Sequence, residues 1–251
     1  MTVGDEAILL VAGAAAGLVG TAGGITSLIS YPALLAVGVP ALAANVVNVV
    51  ALVACWPGSA LASRPELAGR GRWLARWTAV TAVGGAAGAA LLLSTSAGVF
   101  DRIVPFLVAG GALALLAQPR LSARHRRGSR SGSAVALPGG LLALSVYNGY
   151  FGAGSGVMVL ALLMVTVDDH LARANALKNM LIGAASVVSA VALIAFGSVR
   201  WSAVVPLGAG MLAGSLLGPR VARRLPGPVL RWAVALIGLG FAVVLGVRAG
   251  F

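Results

Sequence analysis

Acidic residues are scarce in this sequence, six among 251, and it holds one cysteine, one lysine and two histidines. Each scarcity removes a class of function. A lone cysteine, Cys55, permits no internal disulfide and no cysteine metal cluster, and it reads as a small buried apolar residue. His125 falls in a basic loop and His170 in a turn, each without a second ligand at metal spacing, so no metal site is expected. No phosphate-binding G-x-x-x-x-G-K-[ST] signature occurs, and no cofactor is expected. An intramembrane enzyme would need a nucleophile and base, or a metal set, inside an apolar segment, and none is found. Cation transport is expected to show acidic or thiol groups within the spans, and these are read as absent.

What is abundant is apolar. The hydrophobic set makes up 59% of the chain and charged residues 10%, with apolar runs recurring from end to end, the pattern of a polytopic all-α membrane protein. At roughly 20 residues per helix through a hydrocarbon core of about 30 Å, the chain has room for about seven or eight crossings and little else. Asp5 and Glu6 stand where a secretory signal carries basic residues, so no cleaved targeting segment is expected. The net charge of +12 would suggest nucleic acid in a soluble protein. Here the arginines sit in short loops between spans, where topology and anionic lipid account for them.

The chain resembles itself. Gly20, Ala22 and Gly24 of "GTAGGITSLISYPALLAVGVPALAANVVN" fall on Gly152, Gly154 and Gly156 of "GAGSGVMVLALLMVTVDDHLARANALKN", and Ala44 and Asn45 fall on Ala174 and Asn175. The ordered series of glycine loop, apolar run, turn and Asn predicts two repeats, residues 6–118 and 134–248, joined by a basic linker over 119–133. Internal symmetry of this kind is typical of secondary transporters. Each half reads as a broken apolar segment followed by three spans. The breaks are placed at 20–24 within 6–37 and at 149–156 within 134–167. The spans are placed at 41–62, 77–97 and 101–118, then 171–195, 201–219 and 228–248.

A broken segment of this length is too long for one span and too short for two. If each crosses the membrane, the basic residues outside Lys178 divide 11 to 6 between the two sides. If each dips in and returns, they divide 14 to 3, with only Arg102, Arg200 and Arg248 on the poorer side. The positive-inside rule favours the second division. One hairpin and three crossings per half would make the halves inverted copies with both termini outside. Trp56, Trp73, Trp77, Trp201 and Trp232 fall near span ends and read as interfacial anchors.

Backbone that leaves a helix at membrane depth must find partners in protein or water, because hydrocarbon offers none. Glycines at 20, 23, 24 and 149, 152, 154, 156 allow positive φ and close approach to a ligand. Short helices starting near Ile25 and Val157 would present free N–H groups and positive dipole ends, which together attract an anion. Thr21, Thr26, Ser27 and Ser30 in the first loop region, and Asn148 and Ser155 in the second, are placed to help. Each hydroxyl alone reads more simply as bonding its own helix. Asn45 with Asn48, and Asn175 with Lys178 and Asn179, each occupy one helix face, and Lys178 aligns with Asn48. Lys178 is the one ionisable residue clearly within a span. Either it snorkels to the surface or it supplies a cation to the transport path. Asp168, Asp169 and His170 read as a capped, solvated turn, and Arg231 with Trp232 as an anchor.

The loops "GLVGTAGG" and "YFGAGSG", the run "PALLAVGVPALAA" and the element "FGSVRW" resemble the TauE/SafE family of sulfite exporters and related permeases, over nearly the whole chain. The resemblance implies transport of sulfur oxyanions or organosulfonates across the bacterial inner membrane. The first loop, "GTAGG", is shorter in glycine than is common in the family, and Met164 stands where Pro32 stands in the first half. The expectation is an anion carrier with a site formed by Gly20, Thr21, Gly23, Gly24, Asn45, Asn48, Gly152, Gly154, Ser155, Gly156, Asn175, Lys178 and Asn179. Its partners would be a small anion, the bilayer and a coupling proton or ion. A carrier for another solute, such as an amino acid, is the alternative.

Overall fold

In the computed structural model the described residues are 1–125, 133–168 and 170–222, with 236, 239–240, 242–244 and 246–247 beyond them. Asp169, residues 126–132 of the basic linker and most of the expected last span, with Arg231 and Trp232, lie outside them. The described elements are helices: α1 (Val3–Gly23), α2 (Ser27–Ala36), α3 (Ala41–Leu52), α4 (Cys55–Ala62), α5 (Arg64–Leu67), α6 (Gly71–Ser94), α7 (Ala97–His125), α8 (Ser133–Tyr150), α9 (Ser155–Thr166), α10 (Leu171–Phe196) and α11 (Trp201–Ala222). Six stretches among them are long and apolar enough to cross a membrane: α1, Ala41–Ala62, α6, Ala97–Ala117, α10 and Trp201–Gly218.

The expected span over 41–62 is bent into α3 and α4. Pro57 has no N–H to give the Val53 carbonyl and its ring crowds that group. The turn over 53–56 therefore tightens, with Val53, Ala54 and Trp56 each donating to the carbonyl three residues back. The breaks are narrower than the glycine pattern predicts. Helix α1 runs on through Gly20 and Gly23, and only Gly24 is left-handed, at φ 80°. In the second half α8 continues to Tyr150, past Gly149, and the break is Phe151–Gly154, with Gly152 and Gly154 at φ 82° and 76°. Of the remaining loop glycines, Gly20, Gly149 and Gly156 are small for packing, not for conformation, and Gly23 has open space about it.

Helix directions follow from which residues lie opposite. A Cβ on Gly13 would strike the Leu207 carbonyl, one on Gly17 that of Met211, and one on Gly218 the side chain of Thr21. Positions rise together, so α1 and α11 run parallel in close contact, as small residues permit between membrane helices. Helix α4 also runs parallel to α11, with Ala54 beside Gly208 and Gly58 against Ser215. The chain thus points the same way in α1 and in α3–α4, and α2 between them returns. On the other side α6 runs parallel to α8 (Gly84 against Ser145, Gly88 against Val146) and to α10 (Gly85 against Ala185, Gly197 beside Leu93). Helix α9 therefore returns as well. At about 1.5 Å per residue, α2 and α9 reach roughly 15 and 18 Å, about half the bilayer core.

The tips of the two broken segments meet. A Cβ on Gly24 would lie 2.5 Å from the Gly156 carbonyl carbon, and one on Gly156 would lie 2.6 Å from the Gly24 Cα. Around this crossing packs an apolar core including Leu28, Tyr31, Phe100 and Phe151, with Tyr31 edge-on to Phe151 at 5.2 Å.

Candidate functional site

Where the tips meet, α2 and α9 begin and α1 and α8 end on one cavity of ≈ 50 Å³. At about 10–15 Å³ per water on the same measure, it holds a few waters or one compact ion. Its walls are supplied by Gly20, Thr21 and Gly24 from the α1 end, Thr26 and Ser27 opening α2, and Asn148, Gly152, Ser155 and Gly156 around the second break. Helix α10 adds Lys178, Asn179, Ile182, Gly183 and Ser186, and the α3–α4 bend adds Leu52, Cys55, Trp56 and Ser59. The first N–H groups of a helix have no partner within it, and two helices start here. Among the described residues, no acidic side chain lines the cavity.

Lys178 is 1% exposed, so it does not snorkel to the surface. Its Nζ donates to the Gly20 carbonyl at 3.4 Å, a long bond, and among the described residues it forms no ion pair. A buried ammonium so weakly compensated is costly unless a negative partner joins it. Asn179 lines the cavity beside it and donates to the Thr21 carbonyl at 3.1 Å. Ser155 Oγ donates to Asn148 Oδ1 and to the Gly152 carbonyl, both at 2.8 Å, and Asn148 Nδ2 donates to Ser186 Oγ at 3.2 Å. Thr21 Oγ1 donates to the Gly17 carbonyl of its own helix at 2.6 Å, the simpler reading of that hydroxyl.

Of the expected site residues, Gly20, Thr21, Gly24, Gly152, Ser155, Gly156, Lys178 and Asn179 come together on the cavity wall, and five do not. Gly23 ends α1 with open space about it, and Gly154 packs on Gly111 of α7. Asn48 braces α2, donating to Ser27 Oγ at 3.0 Å and accepting from Ser30 Oγ. Asn45 and Asn175 hold helix ends across the halves: Asn45 Nδ2 donates to the Tyr150 carbonyl at 2.7 Å, and Asn175 Nδ2 to that of Thr21 at 2.9 Å.

Sequence reasoning missed Trp56, Cys55, Ser59, Gly183 and Ser186. Trp56 falls inside its span, not at an interface, with its indole so close to Gly183 that a Cβ there would lie 2.2 Å from the ring. The signal for Ile182 and Ser186 was available, since both follow Lys178 at steps of four on α10. No such signal marks Trp56 or Cys55, whose place depends on the Pro57 bend.

The turn over 167–170 is not simply solvated. The Asp168 side chain is 4% exposed and accepts from Arg70 and Arg173, both at 2.9 Å, while its Oδ1 also accepts from the His170 N–H at 3.0 Å. It ties the loop before α6 to the start of α10.

The model of the family described as sulfite exporter TauE/SafE matches residues 7–245. Among curated proteins, the chain is 31% identical over 147 residues to the probable membrane transporter protein YfcA of Escherichia coli strain K12, covering 59% of this chain and 53% of that one. It is 27% identical over 225 residues to a probable membrane transporter protein of Haemophilus influenzae, covering 87% and 84%. The match to YfcA thus spans about half of that relative's length. No solved structure matches.

Proposed function

This chain belongs to the sulfite exporter TauE/SafE family, and we propose that it is a secondary carrier of small anions, sulfite or an organosulfonate, working by alternating access in the cytoplasmic membrane. The observation that carries this reading is Lys178, buried without an acidic partner in a cavity where two half-helices begin. Helix N-termini and an ammonium in a water-poor site favour an anion, and hydroxyls and carboxamides around it can donate to oxygen atoms. The anion binds between Lys178, Asn179, Ser155, Thr21 and the glycine-loop N–H groups. Asn45, Asn48, Asn175 and Gly154 hold the two hairpins in place around it.

The two halves are, on this reading, inverted repeats with both termini outside the cytoplasm. Two features support that. The first helix of each half packs in parallel on a helix of the other half, and the asparagine following each hairpin caps the opposite one. Rocking of one half against the other about the Gly24–Gly156 contact would expose the cavity to each side in turn.

The test is anion uptake into proteoliposomes, comparing sulfite, sulfate, sulfoacetate and thiosulfate for the wild type and Lys178→Ala. Saturable uptake of one of them, reduced about 100-fold or more in the variant, is expected from the loss of a desolvated charge-assisted contact. Uptake unaffected by the substitution would refute the site, and uptake of none of the four would refute the cargo. Cys55 gives an independent readout, since the chain's one thiol lines the cavity. Its alkylation by a maleimide should slow when sulfate or sulfoacetate occupies the site.

A further inference from the structure

Two buried carboxamide oxygens have no hydrogen-bond partner among the described residues, Asn45 Oδ1 and Asn175 Oδ1. They fall on each other when the halves are aligned. Asn45 is 0% and Asn175 7% exposed. Each sits at the carbonyl end of a broken-segment helix, because its own Nδ2 is bonded there: Asn45 to Tyr150 at the end of α8, Asn175 to Thr21 near the end of α1. The nitrogen and oxygen of one amide share a carbon, so each unpartnered oxygen lies within a few Å of those carbonyls. A buried acceptor left this way normally marks a missing ligand.

The two ends differ in charge. At the α1 end Lys178 reaches the Gly20 carbonyl, so a tethered ammonium already meets the negative end of the helix dipole. The residue aligned with Lys178 is Asn48, which is neutral and bonds Ser27 and Ser30 of α2, so it brings no charge to the α8 end. That end therefore offers helix carbonyls and one wholly buried amide oxygen, with no fixed cation among them. Neutral oxygens at a half-helix C-terminus are the donor set of a hard monovalent cation, and such a site needs no carboxylate.

We propose that Asn45 Oδ1 and the carbonyl end of α8 bind a sodium ion, the exchangeable counterpart of the Lys178 ammonium. Asn148 and Gly152 belong to this same end and line the cavity, which puts the ion within Coulomb reach of a bound anion. A dianion paired with Lys178 retains one negative charge, and a sodium ion at Asn45 cancels it. Two such charges would then cross together without net movement of charge. The sodium site stands on the geometry of Asn45; its role as the coupling ion rests on the carrier reading.

The experiment uses the full-length protein in nanodiscs, with no anion substrate present, so that its outcome is separate from that of the transport assay. Binding of radioactive sodium is measured directly, and melting is followed in sodium, potassium and choline chloride at one ionic strength. The wild type is expected to bind sodium saturably and to melt several degrees higher in sodium than in choline. Asn45→Leu should abolish both effects, while the matched change Asn175→Leu should leave the sodium midpoint within about twofold, since Lys178 serves that end. Asn45→Asp, which keeps the oxygen and adds charge, should lower the midpoint about tenfold and covers the case in which Asn45→Leu does not fold. Equal melting in the three cations with no bound sodium overturns the site and leaves water on the oxygen. Sodium binding unchanged by both Asn45 substitutions overturns its assignment to this residue.

Discussion

At the first break one left-handed residue, Gly24, turns the chain from α1 into α2; at the second, Phe151–Gly154 does so with two left-handed glycines. Both reversals deliver the same parts to the cavity: a helix end, a helix start and hydroxyls. The helix that follows distinguishes them. Helix α10 sends Lys178 to the first break, whereas the aligned residue on α3, Asn48, is neutral and bonds Ser27 and Ser30 of α2. The mechanical half of the site is duplicated and the charged half is not.

The largest effect should come from breaking what the two loops share. Gly24→Ala and Gly156→Ala each push a methyl into the backbone of the opposite tip, and Gly24 also has a left-handed φ. Overpacking of about 1–3 kcal/mol and a left-handed penalty of about 1–2 kcal/mol should leave little monodisperse protein on size exclusion. Gly23→Ala, with open space about it, is the control and should fold normally.

Removing the difference should have the next largest effect. Lys178→Asn makes the first break resemble the second, and anion uptake should fall about 100-fold with melting little changed. Asn48→Leu, in contrast, unties Ser27 and Ser30, so melting should fall by several degrees, for a loss of about 1–3 kcal/mol, while substrate selectivity is retained. If the two variants gave the same phenotype, the contrast between a binding and a bracing role would be lost.

The smallest effect concerns the turns that leave the two hairpins. Asp168 pins the second to Arg70 and Arg173, while the turn after the first, Val37–Pro40, contains no charge. Asp168→Asn should lower the melting temperature by a few degrees at most, because both arginines keep access to water at 34% and 45% exposure. A salt titration should reveal it, with the wild-type advantage shrinking as ionic strength rises.

Much of this was legible early because local pattern sets local structure. The glycines of both loops, the two Asn faces and the lone buried lysine could be read from spacing, and eight of thirteen expected site residues reach the cavity. The three asparagines among the other five show what spacing leaves open. A helix face can be assigned from a period of 3.6, but which neighbour it meets cannot. Asn45 and Tyr150 are 105 residues apart in sequence, and Asn175 and Thr21 are 154 apart, so nothing local links them. The width of the breaks was overestimated for a related reason: a glycine wanted for its missing Cβ, such as Gly20 under Thr26 or Gly149 against Gly85, looks the same in sequence as one wanted for its φ.

Composition and run length make the chain helical and place it in a membrane, because apolar runs of that length have no other stable setting. Spacing also located both breaks approximately and the one lysine within a span, and left open whether that lysine faces inward. Only the packed structure brings the two tips into contact through Gly24 and Gly156 and puts Trp56, Cys55 and Ser186 on the cavity wall with Lys178. Those outcomes depend on which helices run parallel and how closely backbones approach, and that is settled by packing among segments far apart in the chain.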